Sequence, residues 1–171
     1  QDTEEAVALI KELAERALSE QRPIAILASK NSFAQYKADQ NSGDERLPLT
    51  REQAIGIILK NIHANSSVVS STGMISRELY ELRDGLQQKH DTDFLTVGSM
   101  GHCSQIALGV ALANKNKKVI CLDGDGAAIM HMGSMAVTAQ SGVANLIHII
   151  LNNGRHDSVG GQPTCGFEID F

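Results

Sequence analysis

VICLDGDGAAIMHMGSMAVTAQSGVANLIHIILNNGRHDSVGGQPT, residues 119–164, is the stretch whose reading decides the fold. Its first four residues, Val119 to Leu122, form an apolar run typical of a strand buried on both faces, and the run breaks at Asp123. A helix-length segment follows the glycine-flanked acid Gly124-Asp125-Gly126. A second apolar run, Leu146 to Leu151, then stops at Asn152-Asn153-Gly154. Strand, acid turn, helix, strand and asparagine turn make a βαβ unit, whose right-handed crossover brings both turns to one edge of a parallel sheet. Ligands of open α/β sheets bind at that edge, the carboxyl ends of the strands.

The donors at the two turns suit one kind of guest. Asp125 offers an anionic oxygen, Asn153 a neutral amide oxygen, and the turn at Gly154-Arg155 a main-chain carbonyl. A few hard oxygen ligands fit Mg²⁺, which completes an octahedral shell with phosphate oxygens and water. The amides of Gly126 and Ala127 open a helix, whose unpaired N–H groups and dipole attract anions. Together these groups describe a Mg²⁺-diphosphate socket.

GDG followed, after a helix and a strand, by NN resembles the diphosphate-binding motif of thiamin diphosphate (ThDP) enzymes. The fuller run ending HDSVGGQPT is similar to the phosphonopyruvate decarboxylases within the 2-oxo acid decarboxylase family, with the sulfopyruvate decarboxylases as cousins. The resemblance implies an α/β fold of the diphosphate-binding (PP) type, a mostly parallel sheet with helices on both faces. It also implies thiamin diphosphate and Mg²⁺ as cofactors and a 2-oxo acid, phosphonopyruvate, as substrate, giving phosphonoacetaldehyde and CO₂. A pyrimidine-binding (PYR) domain, from the same or a neighbouring subunit, is the implied partner, in a homo-oligomer.

The totals set the outer limits. The 171 residues suffice for one domain with a core, and 42% hydrophobic with 20% charged residues is ordinary for a globular protein. A net charge of −5 without a basic block gives no support for nucleic-acid binding. Apolar runs stay far short of the ~20 residues that span a bilayer. Three cysteines without a CxxC pattern fit reduced thiols, hence a cytoplasmic setting. A start at Gln1 and an end at Ile169-Asp170-Phe171 read as a piece of a longer protein.

Three regions are expected in order: residues 1–29 as the tail end of the PYR domain, 30–48 as a linker, and 49–171 as a PP domain truncated at its C-terminus. The first holds a helix opened by a capping box at Asp2-Thr3-Glu4-Glu5 and a strand at Pro23–Ala28. The linker is rich in Asn, Ser, Gln, Asp and Gly. Thr50-Arg51-Glu52-Gln53 is a second capping box, before a helix with Ala54, Ile57, Ile58 and Ile62 on one apolar face. Strands at 67–70 and 93–97 end at Ser71-Thr72-Gly73 and Gly98-Ser99-Met100-Gly101, with helices at 75–88 and 104–114 after them. Ordinary βα turns use such small residues too. Four in succession, one with an acid and one with paired amides, favour a shared ligand edge.

Carried over from the family residue by residue, Asp125, Asn153 and the Arg155 carbonyl would hold the metal. Gly124, Gly126 and Ala127, with Thr72 and Gly73, would meet the diphosphate. Ala127 stands where relatives often have Ser, so main-chain N–H groups must serve there. Gly98, Ser99 and Met100 would grip the aminopyrimidine, Met100 wedging the cofactor into its bent form; filling core is the other use of a thioether. His102, Arg155 and His156 flank the site and suit proton transfer and phosphonate binding. Loop hydrogen bonding is the alternative for each. His131 and His148 read as structural, Asn152 as holding its own turn, and Cys103 as no nucleophile. The glutamate that activates the cofactor in this family belongs to the PYR domain and falls outside these residues. Rival readings are sulfopyruvate decarboxylase, a nicotinamide-binding fold, which GDGAAI disfavours because its third glycine is missing and its acid would repel a bare pyrophosphate, and a non-catalytic PP-like assembly domain.

Overall fold

The computed structural model describes residues 3–30, 32–33 and 48–171, and divides the chain into units of residues 1–43 and 44–171. In the first unit, helix α1 spans Thr3–Ser19. Its N-terminal capping box lies partly outside the described residues, as does nearly all of the 30–48 linker. The strand expected at Pro23–Ala28 does not form. A strand exists only through ladder hydrogen bonds to a neighbour, and propensity cannot replace them. Leu27 is accordingly 95% exposed.

The second unit opens with helix α2, Arg51–Asn61, whose capping box is complete: the Thr50 hydroxyl accepts from Gln53 N, and the Gln53 side chain accepts from Thr50 N at 2.9 Å. The buried stripe of α2 is Ile55 and Leu59, flanked by Ile58 and Ile62. Ile57, expected inside, is 50% exposed. Nearly every third or fourth residue here is apolar, so two overlapping stripes satisfy the helical period and packing selects between them.

Strands β1 (Ser67–Ser70), β2 (Asp93–Leu95), β3 (Val119–Gly124) and β4 (Leu146–Leu151) form a parallel sheet in the order β2-β1-β3-β4. Helix α3 (Met74–Gly85) follows β1 and α4 (Cys103–Ala113) follows β2. The helix after β3 is broken into α5 (Asp125–Met130) and α6 (Gly133–Gln140). The period-two alternation of β1 and β3 separates two cores. Val68, Ile120 and Leu122 pack with Ile55, Leu59, Ile75 and Leu79 of α2 and α3. Val69, Val119 and Cys121 pack with Cys103, Ala107 and Ala111 of α4. Alanines on that face let α4 approach the strands closely. The result is the expected α/β architecture, with helices on both faces.

Polar groups fix the ends of the elements. Arg83, at the end of α3, donates from Nε and Nη2 to Asp93 at 3.0 and 2.8 Å, tying that helix to the start of β2. At the amino ends of β3 and β4, the Asn145 amide shares its two protons among the carbonyls of Ala111, Asn114 and Lys117, at 3.1, 3.0 and 2.9 Å. β2 stops two residues earlier than expected, at Leu95; Thr96 makes the last bonds to β1, its N–H and its hydroxyl both donating to the Ser70 carbonyl. Val97 beyond it is 96% exposed.

Leu59→Ala, which empties a buried site on α2, is expected to cost about 2–5 kcal/mol in urea denaturation. Ile57→Ala should change stability by less than about 0.5 kcal/mol. Equal losses in the two variants would overturn the assignment of the buried stripe of α2.

Candidate functional site

The strand order reverses between β1 and β3, since the chain leaves β1 for β2 on one side and returns to β3 on the other. Beyond the carboxyl ends of those strands the loops diverge, and a cavity of about 50 Å³ opens there. That volume lies well under the ~300–1,000 Å³ of a complete small-molecule pocket. Thr72 reaches the cavity from the loop after β1, Met100 from the loop after β2, and Gly124 to Ala127 from the turn after β3. Asn153, Arg155 and His156 enter from the segment after β4.

Gly124 takes the cap position of α5, and Asp125 is its first residue. The Asp125 side chain does not cap the helix. One carboxylate oxygen accepts from Asn153 N at 3.4 Å and the other from the Thr164 hydroxyl. Asp125 is 1% exposed, and both of these donors are neutral. A buried carboxylate is costly until its charge is met, so its position on the cavity wall favours a cation there.

The two asparagines make different contacts. Asn152 holds the turn: its amide nitrogen donates to Gly166 O at 2.7 Å, and its oxygen accepts from Gly154 N at 3.1 Å. Gly154, at φ +65°, completes the turn in the left-handed region, with the Phe167 ring packed where a Cβ would stand. Asn153 faces the cavity. Its oxygen accepts from Arg155 N at 3.1 Å and its nitrogen donates to Asp157 at 2.8 Å. Arg155 and His156 form the short strand β5, antiparallel to β6 (Gln162–Pro163). The His156 ring packs against Gly126 in the space a Cβ would fill, which explains why glycine follows Asp125.

The loop after β2 is more distant. Gly98 and Ser99 both have positive φ, +79° and +48°. Gly98 N donates to the Thr72 hydroxyl at 3.1 Å, joining the first two loops. Met100 lines the cavity, whereas Gly73, Gly98, Ser99 and His102 are not among its lining residues. His102 instead places Nδ1 3.2 Å from Ser99 O and its ring 4.2 Å from that of His131. Cys103 is buried at the start of α4, with its Sγ 3.5 Å from that of Cys121.

Several participants escape a reading by sequence. Thr164 reaches Asp125 across 39 residues, and Arg51, at the start of α2, joins the cavity wall and pairs with Asp157 at 2.7 Å. For Thr164 the signal is the tail of the HDSVGGQPT run; for Arg51 there is none beyond its capping box. A second cluster, Cys121, Asp123 and His148, brings three candidate donor atoms within 4.8 Å of one another. Asp123 meets His148 Nε2 at 3.3 Å and accepts from Gly124 N at 3.0 Å. The hydrogen bond shared with Cys103, and then burial, push the Cys121 thiol far above its ordinary value. Without a metal, Cys121 is a neutral thiol that packs beside Cys103, Sγ to Sγ at 3.5 Å.

Comparison with known proteins agrees with this geometry. The family model for the thiamine pyrophosphate enzyme C-terminal TPP binding domain matches residues 69–169. Phosphonopyruvate decarboxylase of Streptomyces hygroscopicus is 43% identical over 122 residues, covering 71% of this chain and 29% of that protein. Its counterpart in Streptomyces viridochromogenes is 36% identical over 149 residues, covering 87% of this chain and 36% of that one. The sulfopyruvate decarboxylase subunit beta of Methanocaldococcus jannaschii is 37% identical over 107 residues, covering 63% of this chain and 54% of the subunit. The chain thus spans about a third of the length of the two phosphonopyruvate decarboxylases. By sequence, sheet topology and the residues gathered at the strand ends, this chain belongs to the thiamine pyrophosphate enzymes and carries their C-terminal TPP-binding domain.

Proposed function

We propose that the complete protein decarboxylates phosphonopyruvate to phosphonoacetaldehyde and CO₂, and that this chain furnishes the metal and diphosphate half of the site. The observation that carries the reading is the buried Asp125 carboxylate, set beside the Asn153 turn at the switch point and met there by neutral donors. Asp125, the Asn153 amide oxygen and the Arg155 carbonyl would hold Mg²⁺, for which an all-oxygen donor set is suited. Main-chain N–H groups of Gly126 and Ala127, with Thr72 and Gly73, would hold the diphosphate. Gly98, Ser99 and Met100 would orient the aminopyrimidine. When bound, thiamin diphosphate supplies the carbon nucleophile and the electron sink for loss of CO₂.

The remaining work falls to side chains on the same edge. Arg155 carries a planar fork suited to a phosphonate dianion, and His156, packed on Gly126 at the cavity wall, is the better placed of the two histidines to pass a proton. His102 sits outside the cavity wall and would act only through the Ser99–Met100 loop. A PYR domain would complete the site, residues 1–29 being its last part and 49–171 the PP domain. The small cavity supports a site shared with another domain, in a homo-oligomer. Among the described residues no helix is long and apolar enough to cross a membrane, and Cys103, Cys121 and Cys165 are free thiols, which fits a reducing cytoplasm.

Sulfopyruvate is the second substrate candidate, because two beta subunits of its decarboxylase are 37% and 39% identical to this chain over 107 and 104 residues. Both substrates present a tetrahedral anion beside a 2-oxo acid, and the donors identified here recognise either.

Three outcomes are expected. In calorimetry on the complete protein, Asp125→Ala and Asn153→Ala should each weaken Mg²⁺-dependent ThDP binding by at least about 100-fold, as removal of a metal's protein ligand does, and chelation of Mg²⁺ should do the same to the unaltered protein. Undiminished binding in the folded variants would refute the socket. Turnover of phosphonopyruvate should exceed that of sulfopyruvate, and the reverse ranking would reassign the substrate. The isolated 171-residue chain should show no decarboxylation without a PYR domain; turnover by the fragment would overturn the shared-site reading.

A further inference from the structure

A metal-ligating asparagine has a wrong end. Its amide can offer oxygen or nitrogen, and only oxygen ligates Mg²⁺. The surroundings of Asn153 remove this ambiguity. Arg155 N can only donate and lies 3.1 Å from the amide oxygen, while the Asp157 carboxylate can only accept and lies 2.8 Å from the amide nitrogen. Exchanging the two ends would set N–H against N–H and oxygen against carboxylate. The orientation therefore follows from partner chemistry.

Asp157 is itself held. The same Oδ2 that accepts from Asn153 accepts from Arg51 Nη1 at 2.7 Å. Arg51 donates its other two arms, Nε and Nη2, to Glu78 at 2.9 and 2.7 Å. The Arg51 and Glu78 side chains are 19% and 16% exposed, so this pair is shielded from solvent competition more than a surface ion pair. The guanidinium is planar and both of its edges are occupied, which fixes the arm that reaches Asp157. Glu78 lies on α3 and Arg51 on α2, so two helices that pack beneath the sheet aim a guanidinium at Asp157 in the segment after β4.

We infer that Glu78, Arg51 and Asp157 form a positioning relay that turns the oxygen of Asn153, rather than its nitrogen, toward the metal position, and so sets metal affinity without touching metal or cofactor. The inference rests on the Mg²⁺-ThDP reading above and adds residues to it. Partners behind a metal ligand fix its orientation, and their loss commonly costs 10–100-fold in metal affinity.

The test is calorimetric titration of the complete protein with Mg²⁺ at saturating ThDP, in a square of four proteins: unaltered, Asp157→Ala, Asn153→Asp, and both together. A carboxylate presents oxygen whichever way it is turned, so it has no need of the relay, and on loss of Asp157 it loses only a repelling neighbour. Asp157→Ala should raise the Mg²⁺ concentration for half-saturation 10–100-fold when Asn153 is present, and by less than about threefold in the Asn153→Asp background. ThDP stoichiometry at high Mg²⁺ should stay the same in all four. An equal loss in both backgrounds would mean that Asp157 acts through its charge or through folding, and would overturn the relay. No loss with Asn153 present would overturn it as well. If the unaltered protein shows no Mg²⁺-dependent ThDP binding, the cofactor reading itself fails. Arg51→Gln, which breaks the fork but leaves Asp157 in place, should reproduce the loss in the Asn153 protein; unchanged affinity there would remove Arg51 and Glu78 from the relay.

Discussion

The register between β3 and β4 governs everything at the active edge. Gly124 pairs with Leu151, so the residues that follow, Asp125 and Asn152-Asn153, leave the sheet at the same height. Parallel pairing makes this possible, because both strands present their carboxyl ends to the same side. A slip by one residue would reverse the face of every β4 side chain and carry the asparagine turn away from the acid. The hydrophobic pattern guards against the slip. Ile149 and Leu151 pack against the α2–α3 core and Leu146 against the α4 core. Burial on two faces thereby fixes the relative positions of a carboxylate and an amide that contribute nothing to the core themselves.

Electrostatics at this edge works against the fold and toward a ligand. Asp125 is nearly inaccessible and is met by a main-chain N–H and a hydroxyl. Two neutral hydrogen bonds offset only part of the cost of desolvating a carboxylate. Arg83 and Asp93 show the contrasting case elsewhere in the chain. There a buried charge meets a bidentate partner, and the pair serves to anchor one helix to one strand. Sites that bind ions leave part of such a charge uncompensated.

How much of this was legible in the residues follows from the range of each interaction. The apolar runs of β1, β3 and β4, the Thr50 capping box, and the acid and asparagine turns are all local, and each stands where the sequence places it. The strand expected at Pro23–Ala28 does not form because a strand is a property of a pair, and its residues have no ladder partner among the described residues. Ile57 was misassigned because two helical stripes were equally apolar, and only the position of the sheet distinguishes them. Arg51 and Thr164 could not be found by spacing, since they lie 106 and 39 residues from the side chains they bind. Contacts of that span are specified by topology, which a motif does not encode.

The amide of Asn145 has a mechanical consequence. Standing just before β4, it donates its two protons to three carbonyls of the α4 end and the turn into β3, far from the ligand edge. The strands are pinned at their roots like the blades of a fan. Accommodation of a guest at the opposite rim must then come from loops and rotamers, since sliding one strand along its neighbour would tear out the rivet.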